Sequence, residues 1–515
     1  MSLFRLAFYL CPCFLAGAMG ATSNSSCPTR LWRRHTTTWL QPNFCAQIVA
    51  GGGRNVSGHL YTPRGLHIDE ETDEILLVER DHPNGGRVIR LDDALDDAKI
   101  VPVAELYGLN HGLELANGYL YASTPGKVFR WPYTPGQTIP GNRSTAQEVI
   151  VIIDAVANSS DLGAKGGHTT RTLAFDPERK WLYVSTGSKG NVALNSFRAR
   201  IRRFDISTWD GETPFDFTKG QVFADGLRNE VGLAFDSHGD LWGVENGADN
   251  LYREDLGGDI HNENPGEELN RFRMDPVGEH WGYPYCFTEY CLDVKNGGTG
   301  IKGGNNTVWA WPSFIDDGYT DEWCRQNTNP PVISMPSHSA PLGITFYDWK
   351  NLTRDEYDDQ GCSGGFPRGM DKFAFIAFHG SWNRAPPTGY KVVFVPFDNE
   401  GNATYQPIDL FRHGKDSAQW FNSRIRPVDV QFDRCGRLFV TEDDTGSVIV
   451  ITYEGDYFDE FVDVTDTDVA DGVGCVALPY PSSSSMVFTL SSAVTRLTPI
   501  AVTQLLCLVM FFVLA

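Results

Sequence analysis

The sequence predicts an all-β chain folded as a six-bladed β-propeller with a disulfide-stapled insertion between blades. Three observations carry that expectation. Six segments repeat one pattern, a turn, an apolar strand, a Gly or Asp turn and a second apolar strand. Helical periodicity is nearly absent between Cys45 and Tyr457. The repeats start at Gly65, Gly112, Thr172, Gly232, Gly343 and Val428, too unevenly for a solenoid.

Taken in order, Arg64-Gly-Leu-His-Ile-Asp is followed by Ile75-Leu-Leu-Val, and His111-Gly-Leu-Glu-Leu by Tyr119-Leu-Tyr. Arg171-Thr-Leu-Ala-Phe-Asp precedes Trp181-Leu-Tyr-Val, and Val231-Gly-Leu-Ala-Phe-Asp precedes Leu241-Trp-Gly-Val. Leu342-Gly-Ile-Thr-Phe-Tyr is paired with Phe373-Ala-Phe-Ile, and Pro427-Val-Asp-Val-Gln-Phe-Asp with Leu438-Phe-Val. The strands are short and rich in β-branched or aromatic residues, bounded by Gly, Asp and Asn, as β-pairs require. The excess length falls mainly between Gly247 and Ser339, a stretch holding Cys286, Cys291 and Cys324, and is expected on one face. A β-sandwich with a second domain is the competing arrangement.

The ends read as processing signals. Residues 1–20 carry Arg5, the apolar run Leu6–Leu15 and small residues to Gly20, a secretory signal peptide. The folded domain is expected over 27–475. A Ser-rich linker (476–492) with an attachment serine between Ser482 and Ser492, and a C-terminal segment (493–515) whose apolar tail runs without charge from Pro499 to Ala515, then read as a lipid-anchor signal. A spanning helix is the alternative. The expected location is therefore outside the cell, on the plasma membrane or cell wall through a GPI anchor. Eight cysteines remain in the mature chain, and pairing sequence neighbours is the simplest scheme: Cys27–Cys45, Cys286–Cys291, Cys324–Cys362 and Cys435–Cys475. No CxxC supports a zinc site. Sequons at Asn24, Asn55, Asn142, Asn158, Asn305, Asn351 and Asn402 suit an extracellular glycoprotein. The net charge of −22 argues against nucleic acid and against an anionic membrane surface.

Several motifs resemble the soluble quinoprotein glucose/sorbosone dehydrogenase family, most closely its sorbosone and fungal pyranose dehydrogenase branch. They include Gly167-His-Thr-Thr-Arg-Thr-Leu-Ala-Phe, Gly226-Leu-Arg-Asn-Glu-Val-Gly-Leu-Ala-Phe and Glu245-Asn-Gly-Ala-Asp. Asn264-Pro-Gly-Glu-Glu-Leu-Asn, His338-Ser-Ala-Pro-Leu-Gly and Phe378-His-Gly-Ser-Trp-Asn-Arg-Ala-Pro-Pro-Thr-Gly-Tyr add to them. The likeness runs in order from about Gly65 to Tyr453. The Gly-Leu-Ala-Phe pieces are generic propeller strands; the Trp-containing Pro-Pro motif and Asn-Pro-Gly-Glu-Glu-Leu-Asn are specific.

The resemblance implies pyrroloquinoline quinone and Ca2+ in a funnel at one end of the propeller axis, a sugar substrate and an electron acceptor that it leaves unidentified. Oxidation by hydride transfer needs a base for the hydroxyl proton and a stabiliser of charge on the acceptor. By resemblance His168 is the base, and Arg228 and Asn229 contact the quinone's dione oxygens. A channel-lining histidine is the blander role for His168. Arg424 and Arg426, on alternate residues before the last repeat, could clamp cofactor carboxylates. The same spacing recurs at Arg198/Arg200 and Arg271/Arg273, so position alone singles this pair out. Gly247 and Ala248 match backbone ligands of the calcium. Asp249 adds a carboxylate or caps its loop. Arg384 stands where the family often has Lys, and His338 where the glucose branch has a small hydroxyl residue, which puts glucose itself in doubt. Asn110 and His111 are expected to line the funnel. Two rivals remain: a calcium-dependent lactonase-type propeller, and a catalytically silent surface propeller binding a protein or glycan.

Overall fold

Short apolar strands joined by tight polar turns leave each hairpin with two hydrophobic faces, and six sheets packed face to face in a ring bury both. The computed structural model describes residues 38–52, 58–96, 98–139, 145–152, 167–194, 197–398, 400–404, 406–413, 425–460, 462 and 475–476. The leader, the serine-rich linker and the apolar tail lie outside them, as do Cys27, Arg424 and the sequons at Asn24, Asn55, Asn142 and Asn158. Among the described residues no helix is long and apolar enough to cross a membrane. Asn305, Asn351 and Asn402 are exposed.

The innermost strands of blades 1 to 6 are Pro63–Ile68, Leu113–Ala116, Leu173–Phe175, Glu230–Phe235, Pro341–Phe346 and Pro427–Phe432. Each pairs antiparallel with the next strand of its own sheet and touches the inner strands of both neighbouring blades, closing the ring in chain order. These are the six repeats expected from the sequence. Blade 6 is completed by the N-terminal strand Phe44–Gly51, which pairs antiparallel with Ser447–Tyr453. Blade 5 gains Thr38–Leu40 on the edge of Ile408–His413.

The core is divided by blade interface rather than gathered in one place. Phe366, Phe375, Val430 and Ile449 pack between blades 5 and 6, Trp242 and Ile376 between blades 4 and 5, and Leu66 with Phe439 across the seam between blades 1 and 6. Burying each such side chain is worth about 1.5–3 kcal/mol.

The extra length does fall between Gly247 and Ser339, but it is threaded through blade 4. That blade's third and fourth strands are Glu267–Phe272 and Ile333–Met335, and the additions leave and re-enter the sheet around them. Between those two strands lie a small hairpin, Cys286–Thr288 with Val308–Ala310, and the helix Asp321–Asn327.

The neighbour pairing is overturned for the six cysteines from Cys286 to Cys475, while Cys27 of the expected Cys27–Cys45 pair lies outside the described residues. The disulfides are Cys286–Cys324, Cys291–Cys475 and Cys362–Cys435, and Cys45 is also disulfide-bonded. Cys286 sits on the hairpin facing the helix that carries Cys324, whereas Cys291 lies beyond the hairpin strand and meets the C-terminal segment. That segment is further held by a bridge between Ile301 and Val476.

Candidate functional site

All six inner strands begin at one end of the ring, and the turn after each second strand returns there. Residues just before the inner strands therefore meet residues of the second-to-third strand loops at a single face, although they are far apart in sequence.

His168 stands before the inner strand of blade 3. Its backbone N–H donates to Ser188 O at 3.0 Å, and its Nδ1 lies 3.1 Å from Ser188 O and 3.0 Å from Ser188 Oγ. A carbonyl can only accept, so Nδ1 carries the hydrogen and Nε2 keeps its lone pair. Nε2 has no partner among the described residues. Burial, then the nearby Arg228 charge, lowers the imidazole to about 3, so it stays neutral and able to accept a proton. The His168 carbonyl accepts from the buried Arg171 and Arg198, fixing the backbone. Gly187 passes between His168 and Asn229. A Cβ there would lie 2.4 Å from Asn229 Oδ1 and 2.5 Å from His168 Cβ, so only glycine lets the two side chains approach.

Arg228, before the inner strand of blade 4, is buried and heavily used. It donates from Nε to Asn191 O at 3.0 Å, from Nη1 to Asn246 O at 3.1 Å, and from Nη2 to Asn191 Oδ1 at 3.0 Å and Asp249 Oδ2 at 3.1 Å. Those contacts occupy about four of the five guanidinium N–H groups, leaving roughly one for a ligand. Asp249 thus pairs with Arg228, and its Oδ1 lies 3.6 Å from His338 Nδ1. His338 is buried in a left-handed conformation (φ 57°), with Nε2 donating to His261 O at 2.7 Å. Arg384 is buried too, spent on Glu263, Asn262 O and Ser337 O. His338 and Arg384 together clamp the blade 5 loop to the residue 261–263 segment.

Across the axis, blades 1, 5 and 6 build a second cluster that sequence reasoning missed. Asp443 accepts from Arg64 Nη1 at 2.8 Å and bonds His379 Nε2 at 2.8 Å. Burial works to raise the Asp443 carboxyl, but His379 and Arg64 together hold it below the usual carboxylate range. Arg426 donates to His379 O at 3.3 Å and Gly380 O at 3.4 Å and has no carboxylate partner among the described residues. Arg64 precedes Gly65 as His111 precedes Gly112, so aligning the repeats would have exposed it. His379 lies inside the Phe378-His-Gly motif already singled out. Asp443 carries no such signal.

The arginines are aimed by a device repeated between blades. A buried glutamate ending the second strand accepts the backbone N–H upstream of the inner strand. Glu245 takes Arg228 N, Glu442 takes Arg426 N at 3.1 Å, and Glu79 takes Tyr61 N at 2.8 Å. Burial raises Glu442 to about 7. Asn110 and His111 are buried at the same face, and Asn110 donates to Thr169 O at 3.0 Å.

An organic trianion fits this donor set. Arg64 Nε, Arg171 Nη2 and Arg384 Nε are buried without a partner among the described residues, and Arg426 meets only carbonyl oxygens there. A calcium ion fits less completely. The two carbonyls of Gly247 and Ala248 are fewer than the six to eight oxygens calcium takes, Asp249 is engaged by Arg228, and no cluster of three acidic, His or Cys ligands occurs among the described residues. A cavity of about 980 Å³ opens at the opposite end of the axis. There Asp176, Asp236 and Asp433 cap their own hairpin turns, and the His168 and Arg426 groups are absent.

A family model described as TrAA12-like matches residues 48–454. The pyrroloquinoline quinone-dependent pyranose dehydrogenase of Coprinopsis cinerea is 29% identical over 446 residues, covering 80% of this chain and 55% of that protein. The pyrroloquinoline quinone-dependent sugar dehydrogenase of Hypocrea jecorina is 29% identical over 457 residues, covering 82% and 93%. The chain therefore spans about half the length of the Coprinopsis relative and nearly all of the Hypocrea one. The calcium structure of the Trichoderma reesei carbohydrate-active enzyme of family AA12 superposes with a TM-score of 0.66 at 27% identity, covering 83% of this chain and 99% of that one. The holo form of the pyranose dehydrogenase PQQ domain from Coprinopsis cinerea gives 0.65 at 27%, with the same coverage.

Proposed function

The chain belongs to the TrAA12-like family, and from that premise we propose that it oxidises a sugar with pyrroloquinoline quinone bound in the arginine-rich funnel. The observation that carries this reading is the pairing of a neutral, oriented His168 with an arginine, Arg426, that lacks an acid partner. When bound, the quinone supplies the two-electron acceptor for the substrate's hydride. His168 Nε2 takes the sugar hydroxyl proton while Ser188 O holds Nδ1–H and keeps the ring oriented. Arg426 and Arg64 hold cofactor carboxylates, with Arg424 a further candidate. Arg228, its backbone held by Glu245, places positive potential where charge develops, with Asn229 beside it. The Gly247 and Ala248 carbonyls would hold calcium, which would supply Lewis-acid polarisation of the quinone.

The substrate is an aldose, pyranose or sorbosone-like sugar, and a separate acceptor reoxidises the cofactor. The glycoprotein acts outside the cell on a GPI anchor, and release by a phospholipase that cleaves such anchors tests that placement. The test of function is quinone titration of purified protein in calcium by fluorescence quenching, with sugar-dependent dye reduction. His168→Gln should keep quinone affinity and lose turnover by about 100- to 10,000-fold. A wild type that binds no quinone would transfer the reading to a silent surface propeller. Lactone hydrolysis without quinone would transfer it to a lactonase.

A further inference from the structure

Trp382 is 81% exposed, the largest value among the exposed large hydrophobic residues described. Leaving an indole in water forgoes a large burial gain, and the exposure is not a result of a loose loop. On one side Ser381 is pinned: its N–H donates to Thr388 O at 3.0 Å, its Oγ accepts Thr388 N at 2.8 Å, and its carbonyl accepts Tyr390 Oη at 2.9 Å. Two residues further on, Arg384 is locked to Glu263 at 2.7 Å, and Ala385 N donates to Asn262 Oδ1 at 3.1 Å. The indole is thus held between two anchors in the second-to-third strand loop of blade 5, at the funnel face. The same loop supplies His379 and the two carbonyls that hold Arg426.

We propose that Trp382 is a sugar platform, on which the C–H face of a closed six-membered ring stacks while a ring hydroxyl reaches His168. This rests on the sugar oxidation proposed above and narrows it. A pyranose whose hydroxyls are all equatorial offers a flat apolar face to a rigid indole, as an open-chain polyol or a small aldehyde does not. Trp382 is therefore a specificity-determining residue that selects closed rings over open chains. The funnel arginines and His168 supply polar recognition, and the indole adds an apolar surface beside them.

The test uses the full chain loaded with quinone and calcium, as wild type, Trp382→Ala and Trp382→Phe. For pyranoses Trp382→Ala should raise KM about tenfold, equivalent to ~1.4 kcal/mol, with kcat and quinone affinity within about twofold. Trp382→Phe should retain most of the affinity, and open-chain polyols should respond to neither change. Saturation-transfer NMR with a methyl β-pyranoside supplies a readout independent of turnover, and its signal should be present in wild type and lost in Trp382→Ala. A pyranoside that binds through Trp382 but is not oxidised would sustain the platform while removing the oxidoreductase reading. An unchanged KM in Trp382→Ala, or no pyranoside contact in wild type, would overturn the platform. So would loss of quinone binding, or a defect confined to a macromolecular electron acceptor.

Discussion

Replacing Asp249 by Asn probes whether Arg228 faces the cofactor as a charge. The carboxylate lies 3.1 Å from Arg228 Nη2, with side-chain exposures of 7% and 11%. Breaking a buried ion pair by removing one partner usually costs about 3–5 kcal/mol. Asn keeps the acceptor, and Arg228 keeps its oxygens from Asn191 and Asn246, so a smaller loss of about 2–3 kcal/mol is expected for the apoprotein. The uncovered charge should act in the opposite direction on an anionic ligand. At about 6 Å and an effective dielectric near 20, one unit charge is worth ~2.8 kcal/mol. Partial screening should leave a quinone affinity about ten- to a hundredfold tighter at low ionic strength, shrinking as salt rises. Denaturant unfolding of apoprotein and fluorescence titration with quinone measure the two effects separately. A variant that is destabilised yet binds quinone equally or more weakly would show that Arg228 is a structural tie and not part of the cofactor clasp.

Three other outcomes follow from the same geometry. Because His168 is lowered to about 3, the acid limb of kcat/KM set by it should lie well below pH 6.5, and a limb near 6.5 would refute that assignment. Arg426→Ala should weaken quinone binding at least tenfold through loss of a charge-assisted contact, with turnover at saturating cofactor nearly unchanged in dye assays. Glu268 is buried and raised to about 7, mainly by desolvation. Its protonated folded form therefore contributes stability that is full below the unfolded pKa of about 4.3 and is lost as pH rises through 7. Glu268→Gln should flatten apoprotein melting temperature against pH across that window.

Much of the ring was legible because an inner strand and its partner are local in sequence, joined by a turn that Gly or Asp announces. Blade 6 was less legible, since Phe44 and Tyr453 pair across nearly the whole chain and nothing local in Phe44–Gly51 names its partner. The disulfides failed for a related reason: Cys286 and Cys291 are neighbours in sequence but face different partners. His168, Arg228 and Asn229 were found through motif likeness, and the structure brings them together around Gly187. Arg384 and His338 were picked by the same likeness, but their contacts with Glu263 and Asp249 were not legible, because those carboxylates lie on the insertion and its approach. Arg64 and Asp443 belong to different ends of the chain, so their pairing became visible only when the ring closed.

That closure has a bearing on how the protein is made. The early strand Phe44–Gly51 waits at the ring's edge until Ser447–Tyr453 emerges, so the circle is latched only after the last blade is complete. The Arg64–Asp443 pair spans the latch, and Arg426 stands beside it. A nascent chain with five blades lacks Arg426 and Asp443, and any internal loss that leaves the ring sprung parts Arg64 from both and so opens the proposed clasp. Competence to load the cofactor is thereby a report on finished assembly.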